Sequence, residues 1–240
     1  VWDGARGDGP GGTGTVVDIW RHHDFEVTRV DPARPFDERL PIAPPLSSHA
    51  APDVPAPSAY GALTHEIKSM LFADAVGYSG LTEDQIPIFI EEFLGTVARL
   101  NRETDHHPIH MEVAGDGLYM VFDEPRDAGH YGLALAERID LRDWQSVGLP
   151  ASMGIRVALH SGPVFCGPNP ITGLSMYTGP HTSRTARIEP ITPPGQVYAS
   201  ASFAAVAAAT GVDDLHFSYI GRTQLAKKHG SLALYYVRRP

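Results

Sequence analysis

One cysteine in 240 residues, Cys166, excludes an internal disulfide and fits a chain kept in a reducing compartment, so a cytoplasmic setting is expected. No apolar run approaches the ~18 residues of a membrane-spanning helix, and no signal peptide stands at the start, so this portion should make no membrane contact. Positive charge is scarce and scattered. There are 19 Lys and Arg against 28 Asp and Glu, for a formal net charge of -9, and only Lys227–Lys228 and Arg238–Arg239 pair up. Without a basic face, nucleic acid is not an expected partner. What is present is enough apolar residue, 42%, to bury a real core.

In chain order, the opening reads as a fragment of an upstream α/β domain over 1–31, with a Gly-rich loop, a helix at 15–23 and a strand at 25–30. The loop lacks a complete preceding strand, so a structural loop outweighs a phosphate cradle, and His22 and His23 read as surface histidines. Residues 32–62 are crowded with Pro, Ala and Ser and read as an extended linker. The start at Val1 adds to the expectation that more chain precedes it.

The remainder, 63–240, reads as one domain organised around LFADAVGYSG. An apolar strand, Met70 to Ala73, ends in a lone carboxylate, Asp74, before a Gly-Tyr-Ser turn and a helix-like segment from Thr82. A desolvated acid needs a cation or several N–H donors, so Asp74 is a metal ligand or an acceptor at the next helix start. A second acid, Asp116, sits between glycines in MEVAGDGLYMVF, a hairpin signal from Met111 to Val113 and Leu118 to Phe122. Acids at a strand end and a hairpin tip can meet on neighbouring strands and hold divalent metal between them.

Between them, Ile86, Phe89, Ile90, Phe93, Leu94, Val97 and Leu100 mark one helix face over 85–101, with Pro87 tolerated in its first turn. A second helix is expected over 127–142, then two strands joined at Ser161–Gly162, and finally a helix at 200–209 with strands at 217–224 and 232–237. His106, His107 and His110 lie in polar sequence without a helical pattern and read as a solvated loop rather than a metal cluster. The fold class is α+β, a ferredoxin-like or palm-type βαββαβ core with additional C-terminal strands.

Four segments in order, LFADAVGYS, GDGLYMVF, GIRVALHSGPVFCG and GPHTSRTARIEP, resemble the motifs of the class III nucleotide cyclases, the adenylate and guanylate cyclase family. TARIEPITPPGQVYAS is similar to bacterial members joined to upstream signalling domains. The resemblance spans Leu63 to Arg238 and implies conversion of ATP or GTP to a 3′,5′-cyclic monophosphate and pyrophosphate, in second-messenger signalling. It implies a homodimer with sites at the interface and two Mg²⁺ or Mn²⁺ held by Asp74 and Asp116. The backbone of Ala75, Val76, Gly77, Tyr78 and Ser79 would meet the triphosphate, and Arg187, from the partner subunit, would bind transition-state charge. A surface ion pair of Arg187 with Glu189 is the other reading of that arginine.

The sequence departs from the family pattern in three places. Ser183 stands where asparagine is usual, four residues before Arg187; Met176 holds the second base-reading position; Ala233 replaces a triphosphate lysine for which only Lys227 or Lys228 could substitute. Glu112 occupies the first base-reading position, and a carboxylate suits the N1–H and N2–H₂ donors of guanine. These departures keep two alternatives open: a catalytically silent nucleotide-binding or dimerising domain, and a cyclase with a non-standard base. A diguanylate cyclase is disfavoured, because the hairpin reads Ala-Gly-Asp-Gly.

Overall fold

The structure, a computed structural model, describes residues 63–224 and 230–240. The expected 15–23 helix, 25–30 strand, 32–62 linker, Lys227 and Lys228 lie outside the described residues.

A period of two residues assigns the central strands to two faces. On β1 (Thr64–Val76), Leu71, Ala73 and Ala75 enter the main core, while Met70 and Phe72 pack into a second cluster on the opposite face with Tyr119, Val121 and Val164. Asp74 is therefore a residue of the second face, in line with Met70 and Phe72. β2 (His110–Ala114) and β3 (Gly117–Phe122) form the expected hairpin around Gly115–Asp116. β4 (Gly154–Pro168) divides likewise, sending Ile155, Val157 and Leu159 into the main core and leaving Arg156, Ala158 and His160 on the face of Asp74. β5 (Ser175–Thr178) pairs with the end of β4, and β6 (Val197–Ser200), β7 (His216–Gln224) and β8 (Ser231–Arg238) complete a mixed sheet ordered β2-β3-β1-β4-β6-β8-β7.

Among the described residues, four helices pack on the sheet. α1 begins at Gln85–Ile88, continues as a π-helix over Phe89–Leu94 and ends as Gly95–Glu103. The Thr82 N–H donates to Gln85 Oε1 at 3.1 Å, tying the turn ahead of α1 to its first residue. Phe89, Phe93, Val97 and Leu100 are buried as expected, but Ile90 is 56% exposed. The wider π turn shifts the helical phase, and that carries Ile90 off the apolar face. Tyr78, Phe89, Phe93 and Trp144 pack ring to ring in series at centroid separations of 4.8, 4.8 and 5.3 Å, the middle pair stacked and the outer two tilted. This ladder ties the turn after β1 to the core, and losing one such ring to alanine costs about 3–5 kcal/mol.

α2 (Pro125–Asp140) starts on a proline at its first turn and ends two residues before the expected 142. Between these two helices, Thr104 to Ile109 is the expected loop, whereas His110 belongs to β2: its ring is largely covered and packs near Tyr119 and Tyr177. α3 (Pro180–Ile188) lies on the second face, where Ile188 meets Ala158 and Leu234, and α4 (Ala201–Ala209) is capped by Ser200 Oγ accepting from the Phe203 N–H at 3.1 Å.

One expectation fails in an informative way. β4 is a single strand through Ser161 and Gly162, with Gly162 in register with Lys68 of β1, rather than two strands joined there. A Cβ on Gly162 would stand 2.1 Å from Nδ1 of His181. The glycine admits an imidazole from α3 and turns nothing. No helix of the described residues is long and apolar enough to cross a membrane.

The first four strands in spatial order, β2-β3-β1-β4, with α1 and α2 as crossovers, are the ferredoxin-like βαββαβ arrangement.

Candidate active site

β1 places Asp74 between its antiparallel partners, Gly117 of β3 and Arg156 of β4. Asp116 follows Gly115, whose φ of 65° lies in the left-handed region that a two-residue hairpin turn demands. The Ala75 N–H donates to the Asp116 carbonyl at 3.2 Å, pinning the tip of the hairpin to the end of β1. Burial raises the proton affinity of Asp74, the Asp116 charge raises it further, and Arg156 opposes both.

A third acid is electrostatically part of this cluster. Glu189 lies in the turn after α3, and burial pushes its carboxyl up to about 7, with Asp74 and Asp116 adding to the rise and Arg156 opposing it. Arg156 Nη1 approaches Glu189 Oε1 at 3.6 Å, an ion pair too long to count as a hydrogen bond, and that oxygen is buried without a hydrogen-bond partner. The alternative reading of Arg187, a surface ion pair with Glu189, is not formed; Glu189 pairs with Arg156. Neither Arg156 nor Glu189 was singled out for this role from sequence, since the β1–β4 register brings Arg156 to Asp74 and the packing of the turn after α3 brings Glu189. The motif arginine in GIRVALHSG was the available signal.

Next to the acids opens a cavity of about 350 Å³. Its wall includes both base-reading candidates, Glu112 and Met176, with Phe72, Tyr119, Thr178 and Thr182. Gly117, register partner of Asp74 and neighbour of Asp116, is also part of the wall, so cavity and acids adjoin. Phe72 and Tyr119 face each other across β1 and β3 and stack at 4.7 Å. The Tyr119 hydroxyl donates to the Tyr177 carbonyl at 3.0 Å. Burial raises the Tyr119 phenol to about 12, and it stays a neutral donor. One Glu112 oxygen meets His110 Nε2 at 2.8 Å, leaving the second for a ligand. A flat hydrogen-bonding ring fits these walls.

The loop after β1 departs in detail from expectation. Gly77 adopts φ 90°, and Tyr78–Gly80 is one 3-10 turn closed by Gly80 N–H to Gly77 C=O at 3.1 Å. With the Ala75 N–H already used by Asp116, the N–H groups left to meet an anion are those ahead of the turn's first bond, at Gly77, Tyr78 and Ser79. Ser183 and Arg187 lie four apart on α3, hence on one face of it. Ser183 is exposed and Arg187 half-buried. Arg187 forms no ion pair with a described residue and is not among the charges acting on Asp74.

Among the described residues no group of three or more His, Cys, Asp and Glu side chains is arranged to hold a metal ion. The donor set of Asp74 and Asp116 nevertheless fits hard divalent cations, which settle for one or two carboxylates and complete their shells with water and substrate phosphate. The Asp116 charge raises the proton affinity of Asp74, and such a cation relieves that repulsion.

This topology is the fold of the class III nucleotide cyclase catalytic domain. No family model and no curated protein matches the chain. Solved structures do: the adenylyl cyclase CyaB from P. aeruginosa superposes with a TM-score of 0.64 at 14% identity, over 75% of this chain and 97% of that one. The guanylate cyclase domain of RhGC from Catenaria anguillulae, solved with GTP, gives 0.61 at 17% identity, over 73% and 98%. An adenylate cyclase of Trypanosoma brucei, in its monomeric state, gives 0.62 at 15%, over 72% and 88%.

Proposed function

We propose that this domain is a nucleotide cyclase that closes a nucleoside triphosphate, ATP or GTP, to its 3′,5′-cyclic monophosphate with release of pyrophosphate, working as a homodimer with sites at the interface. The observation that carries the reading is the adjacency of Asp74 and Asp116 to a ring-sized cavity containing Glu112 and Met176, on a cyclase fold.

The 3′-oxygen forms a bond to the α-phosphorus, the bond from that phosphorus to the pyrophosphate oxygen breaks, and the hydroxyl proton passes to solvent water. Asp74 and Asp116 would hold two Mg²⁺ or Mn²⁺, which when bound supply Lewis-acid activation of the hydroxyl and neutralise the triphosphate. Backbone N–H groups at Gly77 to Ser79 orient the β- and γ-phosphates. Glu112 accepts from the base edge while Phe72 and Tyr119 wall the cavity. Arg187, without an ion-pair partner among the described residues, reaches the α-phosphoryl oxygens of the partner's site, with Ser183 beside it as a short donor. The lone Cys166 suits a reducing, cytoplasmic setting, where the product would act as a second messenger.

Incubation with Mn²⁺ and each of the four nucleoside triphosphates, with products identified by mass, tests this reading. A cyclic monophosphate and pyrophosphate in equal amounts are expected. Nucleotide binding without turnover by the folded dimer would overturn it in favour of a silent cyclase-like domain.

A further inference from the structure

Arg156 and Asp74 face each other directly across β1 and β4, and both belong to the second face of the sheet. Opposite charges at such a cross-strand position stand about 4.5–5.5 Å apart at Cβ and ordinarily close into a charge-assisted pair. Here they do not. Asp74 makes no ion pair with a described residue, whereas Arg156 reaches away to Glu189 at 3.6 Å. Glu189 arrives from the turn after α3, with its side chain 12% exposed, and that turn packs on both β4 and β1.

A guanidinium closed onto Asp74 would do the work of a metal ion: it would occupy the carboxylate oxygens and cancel the negative field that Asp74 and Asp116 share. We propose that Glu189 is a positioning residue of the metal site, whose carboxylate holds the Arg156 guanidinium off Asp74 and so keeps both aspartates open to a divalent cation. The proposal rests on the reading of Asp74 and Asp116 as metal ligands. It makes the segment after the arginine-bearing helix a determinant of cation affinity, through a residue that touches neither cation nor substrate.

Three variants of the full chain decide it, with Mn²⁺ alone as probe, no nucleotide, bound and free ion measured by electron paramagnetic resonance at pH 8, and thermal unfolding recorded alongside. Glu189→Gln keeps the shape, frees Arg156 to close on Asp74, and should weaken Mn²⁺ binding about tenfold, in the range of outer-shell partners of metal ligands. Arg156→Gln should leave binding unchanged or tighter, and the double variant should recover the unmutated affinity. An ion pair with a purely structural role would make the two single variants alike, and loss of Mn²⁺ binding in both would overturn the proposal, as would unaltered binding in Glu189→Gln. Asp74→Asn is the control on the underlying reading. If it binds Mn²⁺ as the unmutated chain does, the metal assignment falls and the positioning role with it; if it alone weakens binding, only the role of Glu189 is lost.

Discussion

His160 Nε2 lies 2.8 Å from His181 Nδ1, a hydrogen bond between two stacked imidazoles that fastens β4 to the first turn of α3, the helix carrying Arg187. On its other side His160 Nδ1 meets Ser200 Oγ at 2.7 Å, so the contact runs from α3 through the sheet to the cap of α4. His160 is fully buried; burial, then the charges of His181 and Arg184, lower it to about 3. His181 is lowered as well, by burial and by Arg184 and His65.

These lowered values make an acid-sensitive clasp. The unfolded chain takes up protons near the ordinary histidine value of about 6.5 while the folded one does not, so the stabilisation is present above about 6.5 and is lost as pH falls toward 3. The slope for His160 is about 1.4 kcal/mol per pH unit in that window. Thermal unfolding followed from pH 7.5 to 4.5 should show this loss, reduced in His160→Gln. Parallel profiles for the two proteins would remove His160 as its source.

Gly162→Ala should uncouple the same helix from the sheet. The new methyl would meet a ring already held by His160, so His181 must leave its place. A loss of about 1–3 kcal/mol in denaturant unfolding is expected, together with reduced turnover.

Asp74→Asn separates stability from activity. Removing one of two mutually repelling acids should raise the unfolding temperature of the metal-free protein at neutral pH, since burial and Asp116 both disfavour the Asp74 charge. Turnover should vanish in the same variant, and in Asp116→Asn. Appreciable product from either folded variant would remove that acid from the metal site.

Glu112 sets the base. Its free oxygen favours the N–H donors of guanine over adenine N1, so GTP should be turned over better than ATP, and Glu112→Lys should move the ratio toward ATP. A strong ATP preference that Glu112→Ala leaves unchanged would place base reading elsewhere in the cavity.

Mixing subunits tests the shared site. Asp74→Ala and Arg187→Ala dimers should each be inactive, while a mixed dimer has one site with both lesions and one with neither. Equal amounts with free exchange make half the dimers mixed, so activity should return to about a quarter of the unmutated level. No recovery, with mixed dimers shown by native mass spectrometry, would put acids and arginine in one chain.

Much of the fold was legible because its signals are local. An apolar run ending in an acid marked β1, a glycine-flanked turn marked the β2–β3 hairpin, and helical spacing marked α1. Misreadings came where a local signal had a nonlocal cause. Gly162 resembled a turn, yet its missing Cβ serves a histidine nineteen residues later; Ile90 fitted the apolar face until a π turn changed the phase.

Asp74, Asp116 and Arg187 were named from the chain because each sits in a short motif whose residues are neighbours in sequence. The electrostatics around them belong to the tertiary structure. Arg156 stands 82 positions from Asp74, and only the antiparallel register of β1 on β4 sets them face to face. Glu189 lies near enough to Arg187 in sequence to be the alternative ion-pair partner, but the turn after α3 delivers it to Arg156 instead. Sequence separation says which side chains can share a helix face, whereas the choice among oppositely charged partners is made by sheet register and by burial, which removes the water that would otherwise screen each charge.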